Sequence, residues 1–327
     1  MAKRSPAAWL RRAVILLVMC LAALLAVRVV LRLAPAPRLA LGTDVHDAVR
    51  AVARDQALAA VAGEPTIRTP HFIIKYPAGD RADAAIVASQ VEKAYAFVFA
   101  RMGGRPADPV VVRVETRAAL AADLGVPPNQ DPLGAYWRGV IWLLTPSAYL
   151  SGTAAQRQAA FAAVGPVAHE LTHLADDDIT GGRMPAFLDE GMAQYMQWRF
   201  SGYRWLQADN TFCQPHYSWR QLAGEFDSLP NQALAYRESF AVVRAVEAAS
   251  PGAAHRMLAA IAAGATSAQA VRDAVGSREE TALASGSAWS CGSGRASSAS
   301  AAPAAQTAGA TVTSRAWPAN ASGREPL

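Results

Sequence analysis

The segment Val167-Ala-His-Glu-Leu-Thr-His-Leu-Ala175 constrains this chain more than any other. His169 and His173 stand at i and i+4, with Glu170 between them. On a helix the two imidazoles lie one turn apart on one side, where they can take two corners of a zinc tetrahedron. Val164, Val167, Ala168, Leu171 and Leu174 form an apolar stripe nearly opposite. The spacing therefore predicts a helix with one face in a core and the other lining a cleft. Glu170 falls about 100° around from His169, beside a metal rather than on it, which suits a general base for water. With 6 histidines in 327 residues, chance supplies only about 0.004 such matches. The alternative is a surface helix with two spaced histidines.

A third ligand is in reach. Residues 185–200 read as the next helix, with Pro185 in the favoured first turn. Sixteen residues separate Glu190 from His173, enough for a turn, a loop and the return of a second helix. The Asp176–Asp178 run and Gly181-Gly182 are expected to supply the break. Phe187, Leu188, Met192, Tyr195 and Met196 give the buried side of the second helix. Glu190 shares its face with Ala186, Ala193 and Gln197, and the small alanines leave room for a neighbouring helix and a metal.

The rest of the chain reads as strands first and helices later. Residues 44–62 have helical character, ended by Gly63-Glu64-Pro65. Residues 71–76, 110–114 and 139–145 read as strands, and 125–134 as a loop. Between the first two strands, Val87, Val91, Tyr95, Val98 and Met102 recur at helical spacing over residues 82–102. Residues 153–175 turn helical, interrupted at Gly165-Pro166, and residues 231–284 look helical throughout. This order predicts an α+β fold: a small mixed β-sheet with the zinc-site helix in the N-terminal half, then a mainly helical C-terminal half.

The sequence divides into residues 1–38, a membrane-targeting segment with its linker; 39–65, a helical linker; 66–284, the main domain; and 285–327, a tail. The tail is rich in Ala, Ser, Gly, Pro and Thr and is expected to be disordered, because it has little apolar surface to bury. Residues 1–38 carry seven bases and no acid, so the remaining 24 bases face all 26 acids. With no basic excess, the body is not expected to bind nucleic acid. Lys3, Arg4, Arg11 and Arg12 precede the uncharged run 13–27, which reaches Ala34 if Arg28 and Arg32 snorkel. An uncleaved signal anchor, contacting the cytoplasmic membrane through residues 10–34, is favoured over a cleaved signal peptide because Pro37 spoils the small-residue site at 34–36. Either reading places the body outside the cytoplasm. Cys213 and Cys291 are compatible with a disulfide there and equally with two unpaired thiols. Cys213-x-x-His216 has ligand-like spacing, but two further ligands are missing.

At the two helices the chain resembles the gluzincin metallopeptidases, which use His-Glu-x-x-His followed by a Glu on the next helix. Phe-Leu-Asp-Glu-Gly-Met-Ala (187–193) is similar to their second-helix signature, and the likeness is greatest to bacterial, often membrane-anchored, peptidase-MA-like proteins. It spans roughly residues 66–282 and includes the His71-Phe72 strand, the strand at 139–145 and the Ala-Tyr-x-x-Ser-Phe segment 235–240. The resemblance implies one Zn2+ per chain held by His169, His173 and Glu190, with Glu170 as the base. Asp189 would orient His173 or, alternatively, face solvent. The strand at 139–145 would be the edge that pairs with an extended peptide substrate. Tyr236, with His216 behind it, is the candidate oxyanion donor, or else packs at a helix start. Trp198, Trp205 and Trp219 are expected to pack in the core rather than line a cleft.

Two functions follow as expectations. One is a zinc-dependent peptidase acting on protein or peptide substrates at the outer face of the membrane. The other is a membrane-anchored zinc-containing binding or assembly module without proteolytic activity. The intact Glu170 argues against the second, since a structural site has no use for a base.

Overall fold

The computed structural model describes residues 35–126, 132–204 and 216–285, with Met19 and Leu21. The anchor, all three cysteines, Trp205 and residues 286–327 lie outside the described residues. Among those described, no helix is long and apolar enough to cross a membrane. The chain falls into two units, residues 1–48 and 49–327. The first contains the beginning of helix α1 (Pro35–Ala60). Residues 35–38, expected as linker, are helical; both prolines sit in the first turn, where an N–H has no intrahelical acceptor to lose.

The second unit is an α+β fold. Its sheet is built from β1 (Thr66–Arg68), β2 (Phe72–Lys75), β3 (Val110–Glu115), β4 (Gly134–Trp137) and β5 (Val140–Leu144), in the order β1-β2-β3-β5-β4. β2, β3 and β5 run parallel, while β1 and β4 pair antiparallel at the two ends. Helices α2 (Arg81–Met102) and α3 (Arg117–Leu124) connect the strands. After the sheet come α4 (Ala154–Val164), α5 (Val167–Thr180), α6 (Ala186–Ser201), α7 (Trp219–Gly224), α8 (Gln232–Ala249), α9 (Ala253–Ala262), α10 (Ser267–Val275) and α11 (Ser277–Ala284).

The continuous apolar runs of β3 and β5 have a simple cause: both faces of these strands are buried. Val110, Val112, Val114, Ile141 and Leu143 enter the larger core, which holds the buried sides of α2, α5, α6 and α8. Val111, Val140, Trp142 and Leu144 point the other way, into a smaller core with Leu120 and Leu124 of α3 and Ala57 of α1. The helix over residues 82–102 is present, and its five spaced residues Val87, Val91, Tyr95, Val98 and Met102 are all buried.

Three local expectations are corrected. β5 is internal to the sheet, so the strand at 139–145 is not an edge; β4, which begins inside the expected loop 125–134, takes the end position. Its neighbour β5 follows after a two-residue Arg138-Gly139 turn, both with positive φ (47° and 85°). That is the signature of a tight hairpin whose twist matches the strands. Finally, the Asp176–Asp178 run does not break α5; Gly181, left-handed at φ 59°, ends it. The long C-terminal helical run is divided at Ser250-Gly252, Ala263-Thr266 and Gly276.

α6 lies against both α5 and α8. It approaches α8 so closely that a Cβ on Gly191 would stand 2.3 Å from the Ser239 carbonyl oxygen. Gly191→Ala must therefore push two helices apart, with an expected loss of about 1–3 kcal/mol. Gly224→Ala, where nothing lies within 4 Å, should change stability by less than about 0.5 kcal/mol. Urea unfolding of both variants checks the contrast.

Candidate metal centre

α5 carries His169, Glu170 and His173; α6 carries Asp189 and Glu190; α8 carries Tyr236. α5 differs from its expected form in one respect. Its polar side is not open: His169, Glu170, His173 and Asp176 are all buried, as is every residue from Val167 to Asp176. α6 and β4 pack over that face. At β4 the approach is close enough that a Cβ on Gly134 would lie 2.9 Å from Glu170 Oε1. Only glycine fits there without moving the carboxyl group.

The fold brings His169, His173 and Glu190 together. His169 Nε2 lies 3.3 Å and His173 Nε2 3.7 Å from Glu190 Oε2, and the three ligand atoms all fall within 4.8 Å of one another. A tetrahedral ion with bonds of about 2.0–2.1 Å needs ligand atoms about 3.3–3.4 Å apart, so both edges at Glu190 have nearly that length. The imidazole planes stand at 80° to one another, with centroids 4.8 Å apart. Both ring nitrogens of His169 and Oε1 of Glu170 are buried without a hydrogen-bond partner. Such atoms cost about 1–3 kcal/mol each when left unsatisfied, and a cation between the rings would satisfy one of the two, Nε2. The donor set of two imidazoles and one carboxylate suits a divalent first-row transition ion.

The surroundings orient each ligand. Asp189 Oδ1 is 2.8 Å from His173 Nδ1. With Nδ1–H donating to that carboxylate, Nε2 keeps its lone pair for a metal. Asp189 thus contacts His173 while 30% of its side chain stays exposed to solvent. Tyr236 donates its hydroxyl to Glu190 Oε1 at 3.2 Å, holding the oxygen that does not face the histidines. To serve as the expected oxyanion donor, that hydroxyl would have to leave Glu190. Gln194 Nε2 bonds the carbonyls of both Tyr236 and Glu190, tying α8 to α6 beside the site. His216 is held by Glu238, with Nδ1 2.9 Å from Oε1. Trp198 and Trp219 pack against aromatic neighbours, as expected. His71 pairs with Glu92, and His255 with the Met102 carbonyl.

Electrostatics follow from burial. Burial pushes the Glu170 carboxyl up to about 7, although both histidines oppose the shift. The His169 imidazole is pushed down to about 4, first by burial and then by His173. Burial also presses the His173 pKa down, but Asp189 and Glu190 outweigh it and the net shift is well upward. Asp176 is fully buried, and desolvation together with the Asp189 carboxyl holds its pKa well above the usual range.

Several residues at the site escaped the sequence reading. Gly134 and Tyr136 fell in or beside a stretch taken as loop. Asp176 and Asp177 were taken as a helix break; their i+7 and i+8 spacing from His169 was the available signal. No family model matches the chain, and no curated protein sequence matches it.

Plasma mass spectrometry on the purified chain should find about one divalent ion per molecule, and Glu190→Ala should lose most of it. Asp189→Ala, which removes only the orienting contact, should weaken metal affinity about 10–100-fold. Competition with a chelator measures that difference.

Proposed function

We propose that the chain is a zinc-dependent hydrolase of peptide bonds, anchored to the cytoplasmic membrane with its catalytic unit on the outer side. The observation that carries this reading is the buried trio of His169, His173 and Glu190, with Glu170 Oε1 beside it, buried and without a hydrogen-bond partner. Three protein ligands leave a tetrahedral site with one open corner, whereas structural zinc sites close all four. The gluzincin-like order of His-Glu-x-x-His and a Glu on the next helix supports the same reading. The outer placement is supported by the basic, apolar N-terminus.

A bound zinc ion supplies Lewis acidity, acidifying water and polarising a carbonyl. The chain's own residues do the rest. Glu170 accepts the proton of the attacking water and delivers it to the leaving amine nitrogen. Burial pushes its pKa up to about 7 in the metal-free site, and a divalent cation beside it would bring that down and favour the carboxylate form that accepts a proton. Asp189 keeps the His173 ring in position through Nδ1. Tyr236 keeps Glu190 Oε1 occupied and so turns Oε2 towards the histidines. The main-chain edge that would take an extended peptide is β4, since β5 is paired on both sides. Gly134 brings that strand against Glu170, so a peptide lying along β4 would pass the base.

Glu170→Gln should keep the metal and slow cleavage of fluorescein-labelled casein by about 10²–10⁴-fold. Cleavage at the wild-type rate would sink the assignment of Glu170. A wild-type chain that captures partners and returns them intact would instead favour the binding module.

A further inference from the structure

Helix α1 was expected as a linker, yet from Val49 onward it belongs to the same unit as the metal helix. Arg50 of α1 is partly buried, with 14% of its side chain exposed. Its guanidinium lies 3.5 Å (Nε) from Asp177 Oδ2 and 3.2 Å (Nη1) from Asp178 Oδ1, near the C-terminal end of α5. Three consecutive acids, Asp176–Asp178, sit in that final stretch of helix, where the macrodipole already disfavours negative charge. Arg50 offsets two of them. Asp177 Oδ2 also accepts the Tyr136 hydroxyl from the edge strand β4. The same hydroxyl oxygen accepts the Gly139 N–H at 2.9 Å. Arg50 fills the space beneath the β4–β5 turn so closely that a Cβ on Gly139 would lie 3.2 Å from its Nε. The chain α1–Arg50–Asp177–Tyr136–β4 is therefore continuous.

β4 runs along α5, with the Tyr136 ring 6.4 Å, centroid to centroid, from that of His173; two further contacts set the strand's approach. At one end Gly134 meets Glu170; two residues on, Tyr136 meets Asp177. Glu170 and Asp177 are seven residues, or two helical turns, apart. The first contact is van der Waals and sets only a minimum approach. The second is a charge-assisted hydrogen bond and sets the orientation. We propose that Arg50 is a positioning residue: through Asp177 and Tyr136 it fixes β4 against the metal helix, and so sets where an extended peptide main chain on β4 lies relative to Glu170. α1 is then a working part of the site. The substrate half of this inference rests on the hydrolase reading; the structural half does not.

The test uses the full-length chain with Arg50→Met, which keeps the apolar stem, Arg50→Lys, Tyr136→Phe, and the Arg50→Met/Tyr136→Phe pair. Amide hydrogen exchange over residues 134–140 should quicken about tenfold in Arg50→Met and in Tyr136→Phe. The pair should quicken no more than either alone, because both act through Asp177. Arg50→Lys should restore part of the protection. Bound zinc should stay unchanged in all four. On fluorescein-labelled casein the Met and Phe variants should raise KM about fivefold or more, with kcat within about twofold. Unchanged exchange at 134–140 would overturn the proposal. So would additive effects in the pair, or a drop in kcat at constant KM. A wild-type chain inert on casein would defeat the hydrolase reading and the substrate half with it, and the exchange series would still decide whether Arg50 holds β4.

Discussion

Two imidazoles and two carboxyl groups share one buried space between α5 and α6, and much of the surrounding packing exists to keep them there. Charged groups taken out of water need partners, and unpartnered ones shift their pKa instead. Both responses occur at this site. Glu190 Oε1 accepts the Tyr236 hydroxyl, while its Oε2 faces both histidines at 3.3 and 3.7 Å. His173 is satisfied by Asp189. Glu170 and His169 are left with buried atoms that have no hydrogen-bond partner, and burial drives both towards neutrality. A polar cluster so arranged is costly as a structural element, and a cation at its centre would offset part of that cost.

Holding the cluster depends on close helix approach, and the close approach depends on small residues. Gly191 lets α8 touch α6, which places the Tyr236 hydroxyl within reach of Glu190. Gly134 lets the edge strand touch α5 at Glu170. A methyl group at either position would open the packing by tenths of an ångström to an ångström. Interiors transmit such shifts because they are close-packed. The Glu190 and Glu170 carboxyl groups are thus each set by a glycine on a different element.

The sheet contributes position rather than chemistry. Its three parallel strands are buried on both faces and form the rigid floor under α2, α5 and α6. Its antiparallel end strand β4 is the part that meets the site. The Tyr136–Asp177–Arg50 connection adds a second contact, which joins β4 and α5 to the part of α1 from Val49 onward. An end strand tied in this way keeps its main chain in a defined register, which is the property that pairing with a peptide would require.

The sequence by itself determined the pieces whose signal is local. His-Glu-x-x-His names a helix, two potential ligands and a base, because i and i+4 necessarily share a face. The Phe-Leu-Asp-Glu-Gly run places Glu190, and the fivefold spacing in residues 82–102 identifies α2. The α+β order was legible for the same reason: strands and helices differ in period. What the tertiary structure alone decided was non-local. β4 is too short and too polar at its boundary to register as a strand; it exists because β5 offers it a partner. For the same reason the internal place of β5 was invisible, since strand order depends on pairing rather than on composition. The polar face of α5 reads as exposed from its periodicity, yet β4 and α6 cover it. Arg50 lies 127 residues from Asp177 in the chain, and Tyr136 lies 41 residues from it; no spacing rule links them. Their meeting is fixed only when the hairpin, the metal helix and α1 pack together.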